Sequence, residues 1–534
     1  MVFTEVTEAA GLGAFRHATG ATGEKWFPET MGGGGGFVDY DGDGRLDLVL
    51  VGGGVWAGAE PPPALRLYWN RGDGTFEDHT ADAALADLHA YAFGVTAADY
   101  DGDGDADLFV TTLGRNLLLR NEAGRFADVT EAAGLADARE WSSAAVFLDA
   151  DADGDLDLYV GNYVDWAPER DRFCTVAGGQ KSYCTPELYE GLPGRFYRNR
   201  GDGTFEERTA EAGFGGTPGK TLAATADDLD RDGDPDLVAG NDTQRDLLFR
   251  NRGDGTFEEV GLRAGIALDE NGKARAGMGV DTGVVDATGA PTVFVGNFAK
   301  EMIGVYRRGA GGFYEERAAV SRIGRPSLPT LTFGLFLFDA DLDGDLDLFA
   351  ANGHITPEVD GLEAHITYRQ RPQLFLNDGA GTFAEMLPGE GPLAQPLVAR
   401  GAAYGDYDAD GDLDVLVTEN GGPAHLWRND TAGGTALVVH LAGRPPNRDA
   451  LGARVALWAG GLMQERTVRT GSSYLSQSQR TPVFGLGGAR PDSLTVYWPG
   501  GGVSRFGGLP ADGAVWIDQE TERLRRTLQN PEAP

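Results

Sequence analysis

Cysteine, basic charge and long apolar runs are all scarce in this chain. Only two of its 534 residues are cysteine, Cys174 and Cys184, and two thiols do not make a zinc site. They are either free or joined, and a disulfide within the long insertion they share is the expectation. No apolar run reaches the ~18 residues of a membrane helix, so no membrane span is expected. The opening Met1-Val2-Phe3-Thr4-Glu5 lacks the basic and apolar segments of a signal peptide. Lysine and arginine total 45 against 82 acidic residues, a formal net charge of −37. Without a basic patch, nucleic acid is not an expected partner. The catalytic patterns His-Glu-x-x-His and Gly-x-Ser-x-Gly are missing, as is a phosphate loop. The seven histidines are scattered, and only His354 and His365 stand out as acid–base candidates.

What the chain has in excess is aspartate, in one repeated phrase. Asp-x-Asp-x-Asp-Gly-x-x-Asp occurs six times, each copy running into an apolar stretch. Folded back on itself, such a loop offers side chains 1, 3, 5 and 9 and the carbonyl of residue 7 to a hard cation. Glycine at position 6 permits the sharp bend. The expected ligands are Asp39, Asp41, Asp43, Arg45 and Asp47 in the first loop, and Asp99, Asp101, Asp103, Asp105 and Asp107 in the second. Asp149, Asp151, Asp153, Asp155 and Asp157 form the third, and Asp228, Asp230, Asp232, Asp234 and Asp236 the fourth. Asp339, Asp341, Asp343, Asp345 and Asp347 form the fifth, and Asp406, Asp408, Asp410, Asp412 and Asp414 the sixth. Four carboxylates and a carbonyl suit Ca²⁺ better than Mg²⁺, which demands tighter octahedral geometry. About six Ca²⁺ sites are therefore expected. The loop is not an EF-hand, because it lacks the glutamate at position 12 and the flanking helices.

A second phrase alternates with the first, as in Asn70-Arg-Gly-Asp-Gly-Thr-Phe76 and Asn251-Arg-Gly-Asp-Gly-Thr-Phe257. Each unit then reads as four strands, a propeller blade. Between Asp228 and Asp339 lies a seventh, worn unit in which Val284, Thr288 and Thr292 replace carboxylates, so it should bind no tight calcium. Phe3-Thr-Glu-Val-Thr7 matches Phe126-Ala-Asp-Val-Thr130 and is expected to supply the last blade's missing fourth strand. The Arg-Gly-Asp tripeptides at Arg71, Arg200 and Arg252 fall inside the repeated turn, and the turn explains them. Asn162, Asn241, Asn297, Asn352 and Asn420 recur at strand ends away from the acidic loops. They read either as strand caps or as a ring at the channel mouth for a ligand or a further monovalent or divalent cation. The aromatic-rich insertion 163–195 leaves the same face and is a candidate recognition surface. Residues 435–520 lack the acidic loop and show short strands, a small β-sandwich. Residues 521–534 read as a tail.

The acidic loops and Gly-Asp-Gly-Thr-Phe turns resemble FG-GAP/VCBS repeats, the blades of integrin α-chain propellers. Asn447-Arg448-x-Ala450-x-Gly452, Gly471-Ser-Ser-Tyr-Leu-Ser-Gln477 and Trp498-Pro-Gly-Gly501 resemble the ASPIC/UnbV domain. Asn241-Asp-Thr243 and Asn352-Gly-His-Ile355 fit the same family. The whole chain is thus similar to bacterial homologues of the cartilage acidic protein family. The resemblance implies an all-β chain: a seven-bladed propeller over residues 1–430, with calcium in its blades, fused to a transthyretin-like sandwich. The expected role is a monomeric, non-enzymatic, secreted, periplasmic or cell-surface scaffold that binds an unidentified protein or glycan. The alternatives are a propeller enzyme such as a polysaccharide lyase and a lectin-like glycan-binding module.

Overall fold

The computed structural model describes residues 2–56, 60–175, 179–387, 389–431 and 433–526. The chain is all-β, with few and short helices, and its repeats fit a β-propeller. Residues 3–430 form seven four-stranded antiparallel sheets. Sheet 1 is Gly35–Val38, Asp47–Val51, Leu65–Asn70 and Phe76–Asp78. Sheet 2 is Ala92–Ala98, Asp107–Thr112, Leu117–Glu122 and Arg125–Asp128. Sheet 3 is Ser142–Leu148, Asp157–Asn162, Arg195–Asn199 and Phe205–Glu207. Sheet 4 is Thr221–Asp227, Asp236–Asn241, Leu247–Asn251 and Phe257–Glu259. Sheet 5, the worn unit, is Val280–Gly283, Thr292–Val295, Gly304–Arg308 and Tyr314–Glu316. Sheet 6 is Thr332–Phe338, Asp347–Asn352, Gln373–Asn377 and Phe383–Glu385. Sheet 7 is Ala399–Gly405, Asp414–Glu419 and Ala424–Asn429, completed by Phe3–Glu5 from the other end of the chain. Phe3 pairs with Asn429 and Glu5 with Trp427.

Each adjacent pair of sheets shares a buried apolar cluster, and sheet 7 shares one with sheet 1. The turn asparagine repeats the same inter-sheet bond. Asn121 Nδ2 donates to the Tyr40 carbonyl of the previous sheet at 2.7 Å, Asn199 to that of Tyr100 at 2.8 Å, and Asn251 to that of Ala150 at 3.0 Å. A side-chain amide on a tight turn thus fixes the spacing between units.

Beyond Asn429 two further four-stranded sheets face each other. One holds Ala436–Ala442 parallel to Gly513–Asp518, flanked by Val483–Gly485 and Arg523–Arg526. The other holds Leu462–Thr467, Arg454–Ala459, Pro491–Tyr497 and Val503–Gly507. Alternate residues Leu437, Val439, Val515 and Ile517 meet Val455, Leu457, Leu494 and Val496 in one buried cluster. The expected tail begins later than residue 521, because Arg523–Arg526 pairs with Gly513–Asp518 and Leu524 packs on the cluster. Residues 527–534 of that tail lie outside the described residues.

The segment 469–482 leaves this C-terminal unit and touches the first strand of all seven repeat sheets. Phe37 N donates to Gln477 O at 3.0 Å, and Val95 N to Leu475 O at 3.2 Å. Phe147 N bonds Thr470 Oγ1 at 2.8 Å. Gly471 lies against the carbonyl of Ala224. Val280 N and O both pair with Ser473, Leu335 N bonds Ser473 Oγ, and Gln479 N bonds Tyr404 O. The segment thus runs among the seven first strands. Its backbone explains why the first strands are glycine- and alanine-rich: a Cβ at Gly36 would overlap the Gln477 carbonyl. Arg469, at the base of the segment, is anchored by Asp227 at 3.0 Å and Asp281 at 2.5 Å.

Candidate metal centres

All six acidic loops fold alike, and sequence dictates how. The residue at position 6 has positive φ throughout, for example 85° at Gly44 and 105° at Gly104, where a side chain would be strained. The N–H of that glycine then reaches the first aspartate: Gly44 to Asp39 Oδ2 at 2.9 Å, Gly104 to Asp99 at 3.0 Å, Gly154 to Asp149 and Gly344 to Asp339 at 3.1 Å. The N–H of residue 7 caps the fifth: Asp105 to Asp103, Asp155 to Asp153 and Asp345 to Asp343, each at 2.9 Å. Position 9 is a clamp. Asp107 accepts the N–H of Tyr100 at 3.1 Å on one oxygen and of Asn121 at 2.7 Å on the other. Asp47, Asp157, Asp347 and Asp414 repeat the pair. These bonds tie each loop to its own turn.

The remaining oxygens converge. Among the described residues five aspartate groups in these loops have ligand atoms within 4.8 Å of one another: Asp39–Asp41–Asp43, Asp99–Asp101–Asp107, Asp149–Asp151–Asp153, Asp228–Asp230–Asp232 and Asp339–Asp341–Asp347. Oδ1 of Asp39, Asp99, Asp149, Asp228 and Asp339, at position 1, is buried with no hydrogen-bond partner. So is Oδ1 of Asp101, Asp151, Asp230, Asp341 and Asp408, at position 3. A buried carboxylate oxygen without a donor is costly, and ten of them at two fixed positions call for a cation.

Electrostatics agree. Burial first, then the neighbouring carboxylates, pushes Asp39 up to about 6, and Asp99 and Asp406 to about 7. The clamps rise further despite their N–H donors, Asp47 and Asp157 to about 8 and Asp107 and Asp347 to about 9. Each loop favours a proton or a metal over bare charge. Arginines temper four loops: Arg45 pairs with Asp43, Arg198 with Asp151 and Asp153, and at longer range Arg250 lies 3.7 Å from Asp230 and Arg466 3.6 Å from Asp339. In the worn unit Arg307 neutralises Asp286 at 2.6 Å.

The other expected site residues are placed as follows. Asn162, Asn241 and Asn352 are buried strand ends whose Oδ1 accepts Ser142, Thr221 and Thr332 hydroxyls. Asn297 and Asn420 donate to Met302 O and Glu29 O, and their Oδ1 atoms lack partners. Cys174 and Cys184 form the disulfide. In the insertion, Tyr163, Trp166 and Tyr189 pack with Phe27, Trp141 and Leu475 over the end of the 469–482 segment, while Phe173 is exposed. His354 is buried beside the Arg400 guanidinium and driven down to about 4, by desolvation first. Sequence reasoning missed the 469–482 segment. Its only trace was Gly471-Ser-Ser-Tyr-Leu-Ser-Gln477, too polar for a core and too short of turns for a loop.

A family model for FG-GAP-like repeats matches residues 39–110, 99–160, 188–239 and 228–283, and one for ASPIC and UnbV matches 443–524. Cartilage acidic protein 1 of Mus musculus is 24% identical over 87% of this chain and 70% of its own length; that of Homo sapiens is 24% identical over 87% and 68%. The chain is similar to cartilage acidic protein 1 over most of its length. Among solved structures, a lectin of Agrocybe aegerita that recognises non-reducing terminal N-acetylglucosamine aligns at 18% identity, TM-score 0.39, over 66% of this chain and 79% of that one. BBS1N in its complex with ARL6DN aligns at 12% identity, TM-score 0.44, over 81% and 98%. The FG-GAP-like repeats and the ASPIC and UnbV unit of this chain suggest an interaction module. No helix among its described residues is long and apolar enough to cross a membrane.

Proposed function

We propose that this cartilage acidic protein homologue is a calcium-stabilised, non-enzymatic extracytoplasmic scaffold that presents its surface to a protein or glycan. In this reading residues 1–430 are a seven-bladed propeller closed by the N-terminal strand, and the C-terminal unit is a β-sandwich. The cyclic succession of apolar clusters supports the ring. The ten orphaned carboxylate oxygens carry the metal assignment. Positions 1, 3 and 5 would hold Ca²⁺ with the carbonyl of position 7, while position 9 braces the loop and lends a lone pair. The ion would supply charge neutralisation and a rigid corner between strands.

A scaffold is favoured over a lyase because the axis, where a propeller enzyme would place its cleft, is occupied by residues 469–482. The disulfide fits an oxidising compartment. Metal analysis of protein dialysed against calcium should return close to one ion per acidic loop. A chain that stays metal-free under that dialysis would defeat the proposal.

A further inference from the structure

The seven sheet junctions are built on one plan, and the junction between sheets 4 and 5 departs from it. Elsewhere the turn at the start of strand four inserts a phenylalanine beside position 2 of the previous loop. Where that position is tyrosine the rings pair: Tyr40 with Phe126 at 6.4 Å, Tyr100 with Phe205 at 5.6 Å, Tyr407 with Phe76 at 5.6 Å. In sheet 5 the inserted residue is Tyr314, and the facing position 2 is Leu229. The two leave a cavity of about 280 Å³. Leu248 and Val260 continue its apolar wall, and Arg250, Arg263 and Arg308 line the rest.

Two features of this cavity are unexplained by folding. Tyr314 is 7% exposed, and its hydroxyl is buried with no hydrogen-bond partner. The phenylalanines it replaces have no such group to satisfy, so the hydroxyl costs stability unless something occupies the cavity. Three guanidinium groups also meet here in a chain of net charge −37. Arg308 stands where six turns carry asparagine. It makes that residue's inter-sheet bond, Nη1 to Leu229 O at 3.2 Å, and keeps further donors. Arg250 lies 3.7 Å from Asp230, outside hydrogen-bond range. Arg263 bonds Glu258 at 2.9 Å on the surface. The acidic groups on the wall are Asp230 and Asp236, both of loop 4.

We propose that the cavity binds a small organic carboxylate with a short apolar tail. Its carboxylate would take hydrogen bonds from Arg250, Arg263 and the Tyr314 hydroxyl, and its tail would lie along Leu229, Leu248 and Val260. Guanidinium forks match carboxylate geometry, and an apolar wall rejects a bare inorganic anion. The site borders acidic loop 4 through Asp230 and Asp236, so calcium content is measured alongside ligand binding in every variant.

The test is isothermal titration of the full chain in calcium-containing buffer with hexanoate and phenylacetate, against hexanamide and hexylamine. Both carboxylates should bind, and the amide and amine should bind at least about tenfold more weakly. Arg250→Gln and Arg263→Gln should each weaken hexanoate about tenfold. Tyr314→Phe should weaken it several-fold while leaving the melting temperature unchanged or higher, since it removes an unpartnered buried hydroxyl. Absence of heat at millimolar hexanoate would overturn the proposal. So would equal affinity for hexanoate and hexanamide, or unaltered affinity in the Arg250→Gln/Arg263→Gln double variant.

Discussion

At the scale of single residues the aspartates divide into two duties. Position 9 is satisfied by backbone N–H groups, whereas positions 1 and 3 carry the unpartnered oxygens. Asp101→Asn should therefore cost one calcium per chain and about 2–3 kcal/mol at calcium a hundredfold above Kd. The same substitution should raise stability in excess chelator, where it relieves repulsion; calorimetry with and without chelator separates the two. The metal-free protein should also show an unusual pH profile. Asp47, Asp107, Asp157 and Asp347 have folded pKa values of about 8 to 9, above their unfolded value. The fold then binds protons that the unfolded chain releases. The stability these groups contribute without metal should thus be fully present below their unfolded pKa of about 3.8 and fall as pH rises toward 9. Urea midpoints of dialysed protein at pH 5 and 8 check the sign, and added calcium should reverse it. The ligand spacing and the position-6 glycine were plain in the sequence. The clamping role of position 9 was not, because its partners, such as Asn121 for Asp107, lie on a different strand.

At the scale of elements, closure is the vulnerable point. Phe3–Glu5 covers the edge of Ala424–Asn429, and Glu5 is bonded by Trp427 Nε1 at 2.7 Å and lies 3.3 Å from His425. His425 is half-surrounded by carboxylates. Burial alone would lower its pKa, but the hydrogen bonds its ring donates to Glu419 and Glu5 raise it to about 9. Removing residues 2–6 should leave sheet 7 three-stranded with an open edge, and the protein should dimerise or aggregate by light scattering. This strand was legible because its letters repeat those at Phe126–Thr130. The last strand, Arg523–Arg526, was not: three of its four residues are arginine, which hides a strand that buries only Leu524.

At the scale of the whole molecule, the repeats and the C-terminal unit share one interior. Arg469 is half-buried and paired with the buried Asp227 and Asp281, so Arg469→Met strands two buried carboxylates and should cost about 3–5 kcal/mol. Adding Asp281→Asn should recover part of that loss in a double-mutant cycle. Thermal unfolding of the intact chain should be a single transition rather than two. Such coupling escaped sequence reading because it joins residues about two hundred positions apart through polar groups, and no periodicity marks them. It also constrains biosynthesis. The peptide that contacts all seven first strands is translated after every one of those sheets, so a nascent chain must keep their glycine-lined strands from collapsing together until residues 469–482 have left the ribosome.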